Sequence, residues 1–289
     1  MDLLISAKPI LLTFATIIAI CIGSFLNVVI LRLPKILEDQ YQREAQELPG
    51  VNNGESLATQ QHENIHRSSA CPNCHTALKA WHNIPVLSFI FLRGKCAFCQ
   101  HKISPIYPII EILTGALILL ILWFFGINAF SLLLCVLCFF LIPLVAIDLK
   151  HFMLPDVLTL PLLWLGLLAN CAFFFTTPTM AILGASAGYG ILWLVFWVFK
   201  WITQKEGMGY GDFKLMAALG AWFGIQSLLF LIFVSALSGI VFALCASLIR
   251  KQQHNLIPFG PAIALTGILY PFIGQAITAT YFQVTLALF

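Results

Sequence analysis

Four of the 12 acidic residues in this 289-residue chain lie inside or at the edges of long apolar runs: Glu111, Asp148, Asp156 and Asp212. A carboxylate at the centre of a bilayer costs roughly 3 kcal/mol on insertion scales, so such residues tend to serve a site or a pathway. Two carboxyl groups held close together cannot both ionise readily; one keeps its proton while the other acts as a base. That pairing activates a water for attack on an amide and then protonates the leaving nitrogen, with no nucleophilic Ser or Cys required. Asp212 stands in Gly207-Met-Gly-Tyr-Gly-Asp212-Phe-Lys214. The glycines there allow close packing or positive φ beside the carboxylate. Asp156, in Leu154-Pro155-Asp156, also suits a helix N-terminus, where an acid is favoured by capping and by the helix dipole. The residues alone leave open whether Asp148 or Asp156 partners Asp212, and whether these acids only cap helices.

A second constellation is built from cysteine. Cys71-Pro-Asn-Cys74 and Cys96-Ala-Phe-Cys99 are separated by 21 residues (75 to 95). Two CxxC pairs at this spacing fit a closed four-thiolate zinc site with a structural role. A redox pair or an iron–sulfur cluster is the alternative, and His75, His82 or His101 could replace one ligand. The remaining five cysteines, Cys21, Cys135, Cys138, Cys171 and Cys245, lie in apolar segments. There they read as small packing residues, including the Cys135/Cys138 pair.

The elements that must position these groups are membrane helices. The chain is 60% hydrophobic and 9% charged, against roughly 25% charged in a soluble domain. Spans need about 20 apolar residues, and eight are expected: 10–31, 106–125, 130–147, 157–176, 181–200, 213–224, 227–249 and 257–288. The segment 213–224 is the shortest, and re-entrant entry is its alternative. The first run exceeds the roughly 7–15 residues of a signal-peptide core and lacks a small-x-small cleavage site, so it is expected to be retained. With eight crossings, 14 of the 15 lysines and arginines fall on one side, and only Lys8 falls opposite. Positive residues mark the cytoplasmic side. Both termini are therefore expected outside, with Asp148, Asp156 and Asp212 all at cytoplasmic helix ends. The net charge of +3 says nothing about nucleic acid. The segment 32–105, with its cysteine module at about 68–104, is the one sizeable polar part, and 106–289 is expected to form the membrane core. The fold class expected is an all-α polytopic membrane protein with a small cytoplasmic zinc-binding module between its first and second spans.

In these residues the chain resembles the type IV prepilin peptidases, bifunctional leader peptidase/N-methyltransferases of type IV pilus and type II secretion systems. The resemblance runs nearly end to end. It rests on Gly23-Ser-Phe-Leu-Asn27-Val-Val, Arg32-Leu-Pro34, both CxxC pairs, Tyr107-Pro108 with Glu111, and Ala146-Ile-Asp148. It continues through Leu154-Pro155-Asp156, Gly207-Met-Gly-Tyr-Gly-Asp212-Phe-Lys214 and Ile257-Pro-Phe-Gly260-Pro261. The resemblance implies that Asp148 and Asp212 are the catalytic pair, choosing Asp148 over Asp156. Asp156, Gly209, Gly211, Lys214 and Glu111 would support them. It implies a bacterial inner-membrane enzyme that cuts prepilins and pseudopilins after the Gly of a short basic leader. The enzyme would then methylate the new N-terminal residue, usually Phe, with S-adenosylmethionine. Gly94 and Asn27 are the candidates for methyl transfer, with helix packing or module geometry as the competing explanation.

One departure is local. The family often has Arg before its Tyr-Pro, whereas this chain reads Ser104-Pro105-Ile106-Tyr107; Lys102 or Arg93 would have to supply that contact. A basic leader is expected to be drawn toward Glu111, Asp156 and Glu206, less so as salt rises. The alternative from another class is a proton-coupled transporter using the same acids as a relay. Transporters often carry an internal repeat, and none is evident.

Overall fold

The computed structural model describes residues 2–47, 70–71, 73–74, 76–205, 207–249 and 258–288. Glu206, His75, Arg67, Arg250 and Lys251 lie outside the described residues. The regular structure is helical, and the only bridges among described residues are two isolated antiparallel ones, Ala70 to Ala77 and Lys95 to Lys102. The helices are α1 (Asp2–Glu47), α2 (Leu87–Phe91), α3 (Ile106–Phe125), α4 (Ala129–His151), α5 (Asp156–Cys171) and α6 (Pro178–Thr203). They are followed by α7 (Tyr210–Phe223), α8 (Leu228–Ile249), α9 (Gly260–Leu269) and α10 (Gln275–Leu288), with one π-helical stretch, Tyr270–Gly274, joining the last two.

Each of the eight expected spans contains a helix, and among the described residues six helices are long and apolar enough to cross a membrane. The protein is thus an all-α, multi-pass membrane protein. The two short members are α5, with 16 residues, and α7, with 14. At 1.5 Å per residue, α7 rises about 21 Å, less than the roughly 30 Å of a hydrocarbon core. Hydropathy placed the end of the first span near Leu31, but the helix continues to Glu47. The reason is that the two properties differ. Lys35 to Glu47 are mostly strong helix formers with no Gly, so the helix persists after the apolar run ends.

The chain divides into two units, Met1–Pro143 and Leu144–Phe289. In the first, α1 packs along α3, and the buried Asn27 donates from Nδ2 to the carbonyl of Tyr107 at 3.0 Å.

In the second unit α7 is the centre. All its residues from Asp212 to Phe223 are buried except Lys214, and α5, α6 and α9 pack around it. Polar backbone at such depth must be satisfied within the protein. Asn170, fully buried, donates from Nδ2 to the carbonyls of Ala221 and Trp222 at 2.8 and 2.9 Å. Its Oδ1 accepts from the N–H groups of Phe175 and Thr176 at 3.0 and 2.9 Å. One side chain therefore closes the C-terminus of α7 and the α5–α6 turn together. Trp222 donates its indole N–H to the carbonyl of Leu162 at 2.8 Å. The backbones of α6 and α7 meet where Gly184 faces Gly220; a Cβ on either would collide with the other's carbonyl group. Small residues of this kind let membrane helices approach closely.

Candidate active site and metal centre

Asp148 lies in the last turn of α4, and Asp212 lies in the first turn of α7. The carboxylates are 5% and 7% exposed, and each lies within the electrostatic reach of the other. Local sequence explains the second position. Gly209 is extended at the N-cap (φ −83°, ψ 151°), and the Asp212 N–H bonds back to its carbonyl at 3.2 Å. Asp212 thus occupies the third helical position, where a carboxyl group can turn back toward the cap N–H. Asp148 is approached by the backbone of Gly260, at the start of α9. A Cβ at Gly260 would stand 2.5 Å from Asp148 Oδ2. That Oδ2 is buried and has no hydrogen-bond partner among the described residues. A carboxylate oxygen held beside a second carboxyl group can take a proton from an attacking water.

Within the second unit, Gly211, Asp156 and Lys214 lie near the start of α7. Gly211, directly before Asp212, packs on Leu154; a Cβ there would lie 2.8 Å from Leu154 Cβ. Asp156 and Lys214 form a two-pronged ion pair, with Nζ 2.7 Å from both Oδ1 and Oδ2. Asp156 is therefore a bound anion, and a basic leader would have to compete with Lys214 for it. Glu206 lies outside the described residues. Glu111 belongs to the first unit and is 7% exposed; its Oε2 accepts the Val86 N–H at 2.8 Å. It binds backbone, which does not suit a role as a surface attractor.

The four cysteine sulfurs all lie within 4.8 Å of one another. Cys71 Sγ and Cys99 Sγ are 3.7 Å apart, close to the edge of about 3.8 Å that a tetrahedron with metal–sulfur bonds of about 2.3 Å would have. Each CxxC is a tight knuckle closed by backbone bonds. Cys71 N–H donates to Thr76 O at 3.1 Å, and Cys96 N–H donates to His101 O at 2.9 Å. Phe98 N–H points at Cys96 Sγ at 3.5 Å, and Gln100 takes the left-handed turn at φ +56°. The hydroxyl and backbone N–H of Thr76 push the Cys74 thiol down to about 6, which favours the thiolate that a metal needs. The donor set fits one tetrahedral metal ion. Neither His82 nor His101 joins this sulfur cluster among the described residues. His82 packs edge-on against Trp81 and Phe98 instead.

Gly94 and Asn27 have structural partners. Gly94 is at φ +68°, with the Phe89 ring 3.1 Å from where a Cβ would be, and Asn27 is bonded to Tyr107. Leu154 and Gly260 stand in motifs singled out above, but neither was assigned a role beside the aspartates. Gly260 does stand in the Phe259-Gly260-Pro261 motif, where a glycine opening a helix was the available signal.

Two family models match the chain: the bacterial peptidase A24 N-terminal domain over residues 17–125 and the type IV leader peptidase family over residues 135–244. A prepilin leader peptidase/N-methyltransferase of Pseudomonas aeruginosa is 41% identical over 281 residues, 96% of this chain and 96% of that protein. Proteins of the same description from Neisseria gonorrhoeae and Aeromonas hydrophila are 45% and 42% identical, each over 264 residues. These cover 90% of both chains for the first and 91% of both for the second. No solved structure matches the chain.

Proposed function

The chain belongs to the type IV leader peptidase family, and we propose that it cuts prepilins and pseudopilins after the leader Gly using Asp148 and Asp212. It then methylates the new N-terminal residue with S-adenosylmethionine. The observation that carries the peptidase reading is the placement of two buried aspartates at the ends of α4 and α7, with Gly211 before Asp212 and Gly260 beside Asp148 both packed on Leu154. In the cleavage step the ionised member takes a proton from water as the water oxygen attacks the Gly carbonyl carbon. The protonated member gives its proton to the amide nitrogen as the C–N bond breaks. Two carboxyl groups acting as a pair cannot both ionise readily, which lets one serve as acid while the other serves as base.

Several finer features belong to the same proposal. The spans number eight, with both termini periplasmic and the dyad, the leader and the cysteine module on the cytoplasmic side of the bacterial inner membrane. The charge distribution supports this. The four cysteines hold a structural zinc, supported by the sulfur spacing. The metal would clamp the two knuckles and leave no open position for substrate. Methylation rests on family membership. Asn27 and Gly94 are each engaged in local structure, so we assign them to shaping the first unit and route no step through them.

The test is incubation of purified protein in detergent with a basic leader peptide containing Gly-Phe and labelled methyl donor. Asp148→Asn and Asp212→Asn should each lower cleavage by roughly 10³-fold or more, while Asp156→Asn should lose no more than about 100-fold. Wild-type cleavage by either Asn variant would disprove the pair.

A further inference from the structure

The connection between α4 and α5 reaches both sides of the carboxylate pair. Helix α4 ends one turn after Asp148, where Phe152 donates its N–H to the Asp148 carbonyl at 3.0 Å and turns left-handed at φ +55°. This helix-ending conformation is usually taken by Gly. Two residues later Leu154 enters between two glycines. A Cβ on Gly211 would lie 2.8 Å from Leu154 Cβ, and a Cβ on Gly260 would lie 3.1 Å from Leu154 Cδ1. One glycine precedes Asp212 and the other touches Asp148, so Leu154 packs against the immediate support of both acids. Next, Pro155 opens α5, and Asp156 in its first turn grips Lys214 with both oxygens at 2.7 Å. Lys214 lies in the first turns of α7, where a cation is disfavoured by the helix dipole. Its place is explained by the partner across the gap.

We infer that the α4–α5 corner is a clamp that sets the separation of the two carboxyl groups, with Leu154 as its wedge and the Asp156–Lys214 pair as its tether. This rests on the reading of Asp148 and Asp212 as the catalytic pair. The wedge limits how closely the start of α7 approaches the end of α4, and the tether limits how far it withdraws. Leu154, Asp156 and Lys214 are positioning residues: they act on turnover through the aspartates and do not contact the scissile bond.

The test is a double-mutant cycle on full-length protein in detergent, with kcat and KM measured separately on the leader peptide. Asp156→Asn and Lys214→Gln should each lower kcat by about 10- to 100-fold, the scale of a small misplacement of reacting groups, with KM nearly unchanged. The double variant should be no slower than the slower single one, because both changes remove one tether. Asp156→Glu and Lys214→Arg should retain most activity. Leu154→Ala should fall like the tether variants, and the volume-matched Leu154→Met should not; the Met variant and the cycle decide the matter if the Ala protein does not fold.

Losses that multiply in the double variant, or single variants at wild-type kcat, overturn the clamp. So does a KM that rises on Asp156→Asn and converges with wild type as salt rises, which would make Asp156 a direct anchor for the basic leader. Asp148→Asn measured alongside separates the two failures. If it still cleaves, the catalytic assignment is wrong. If it is dead while the cycle multiplies, only the clamp is wrong.

Discussion

Gly260 shows how little room surrounds the carboxyl groups. Any side chain there would place a carbon 2.5 Å from Asp148 Oδ2, inside van der Waals contact, so Asp148 must swing away. Gly260→Ala is therefore expected to lower kcat for leader cleavage by about 100-fold, with an unchanged thermal midpoint, as read by steady-state kinetics and melting in detergent. Glu111 makes a different kind of contact. Val86 is a β-branched residue at φ +59°, with Leu87 N–H bonded to Pro85 O at 2.5 Å across it. This is a γ-turn, a conformation rare and strained for such a residue. The buried Glu111 carboxylate holds the turn by accepting the Val86 N–H at 2.8 Å. Losing a charge-assisted bond of this kind is worth roughly 1.5–3 kcal/mol. Glu111→Ala should accordingly make the segment around Val86 about ten times more sensitive to limited proteolysis, while Glu111→Gln, which keeps an acceptor, should show a smaller change.

Helix α7 has only 14 residues and is buried along nearly its whole length, which explains its dependence on Asn170. Four backbone groups are satisfied by that one amide. Asn170→Ala leaves the carbonyls of Ala221 and Trp222 without this donor, at a cost on the order of 2–3 kcal/mol. A lower thermal or denaturant midpoint is the expected result, and the kcat of the folded fraction should stay close to wild type because Asp212 sits at the opposite end of the helix. The cysteine knuckles are a second element with its own stability. Replacing Cys71 or Cys96 with Ser should lower bound zinc from one ion per chain to well below one, measured by metal analysis of the purified protein. Both residues are buried, so a hydroxyl there cannot restore the thiolate shell.

On the scale of the whole molecule, charge asymmetry sets orientation. With Lys8 alone on one side, the proposed eight crossings would put the C-terminus on the periplasmic face. A C-terminal reporter active only in the periplasm should give signal, and a reporter fused after α1 should not. Much of this was legible without a fold. The order of the apolar helices, the four clustered cysteines and the unusual Gly-x-Gly-Asp setting follow from local composition and spacing, because lipid demands about 20 apolar residues and a metal demands fixed donors. Motif resemblance selected Asp148 from its neighbour Asp156. Contacts across distant elements could not be read in this way. Leu154 appears in the sequence only as the leucine of Leu154-Pro155-Asp156, and its contacts with Gly211 and Gly260 exist only because α7 and α9 converge on the corner after α4. Asp156 looked like a free interfacial acid until α7 brought Lys214 within 2.7 Å. By itself the sequence determined which groups have the chemistry. The tertiary structure alone decided which are buried, which are already paired and which oxygen stays open, since burial and pairing depend on helices far apart in the chain.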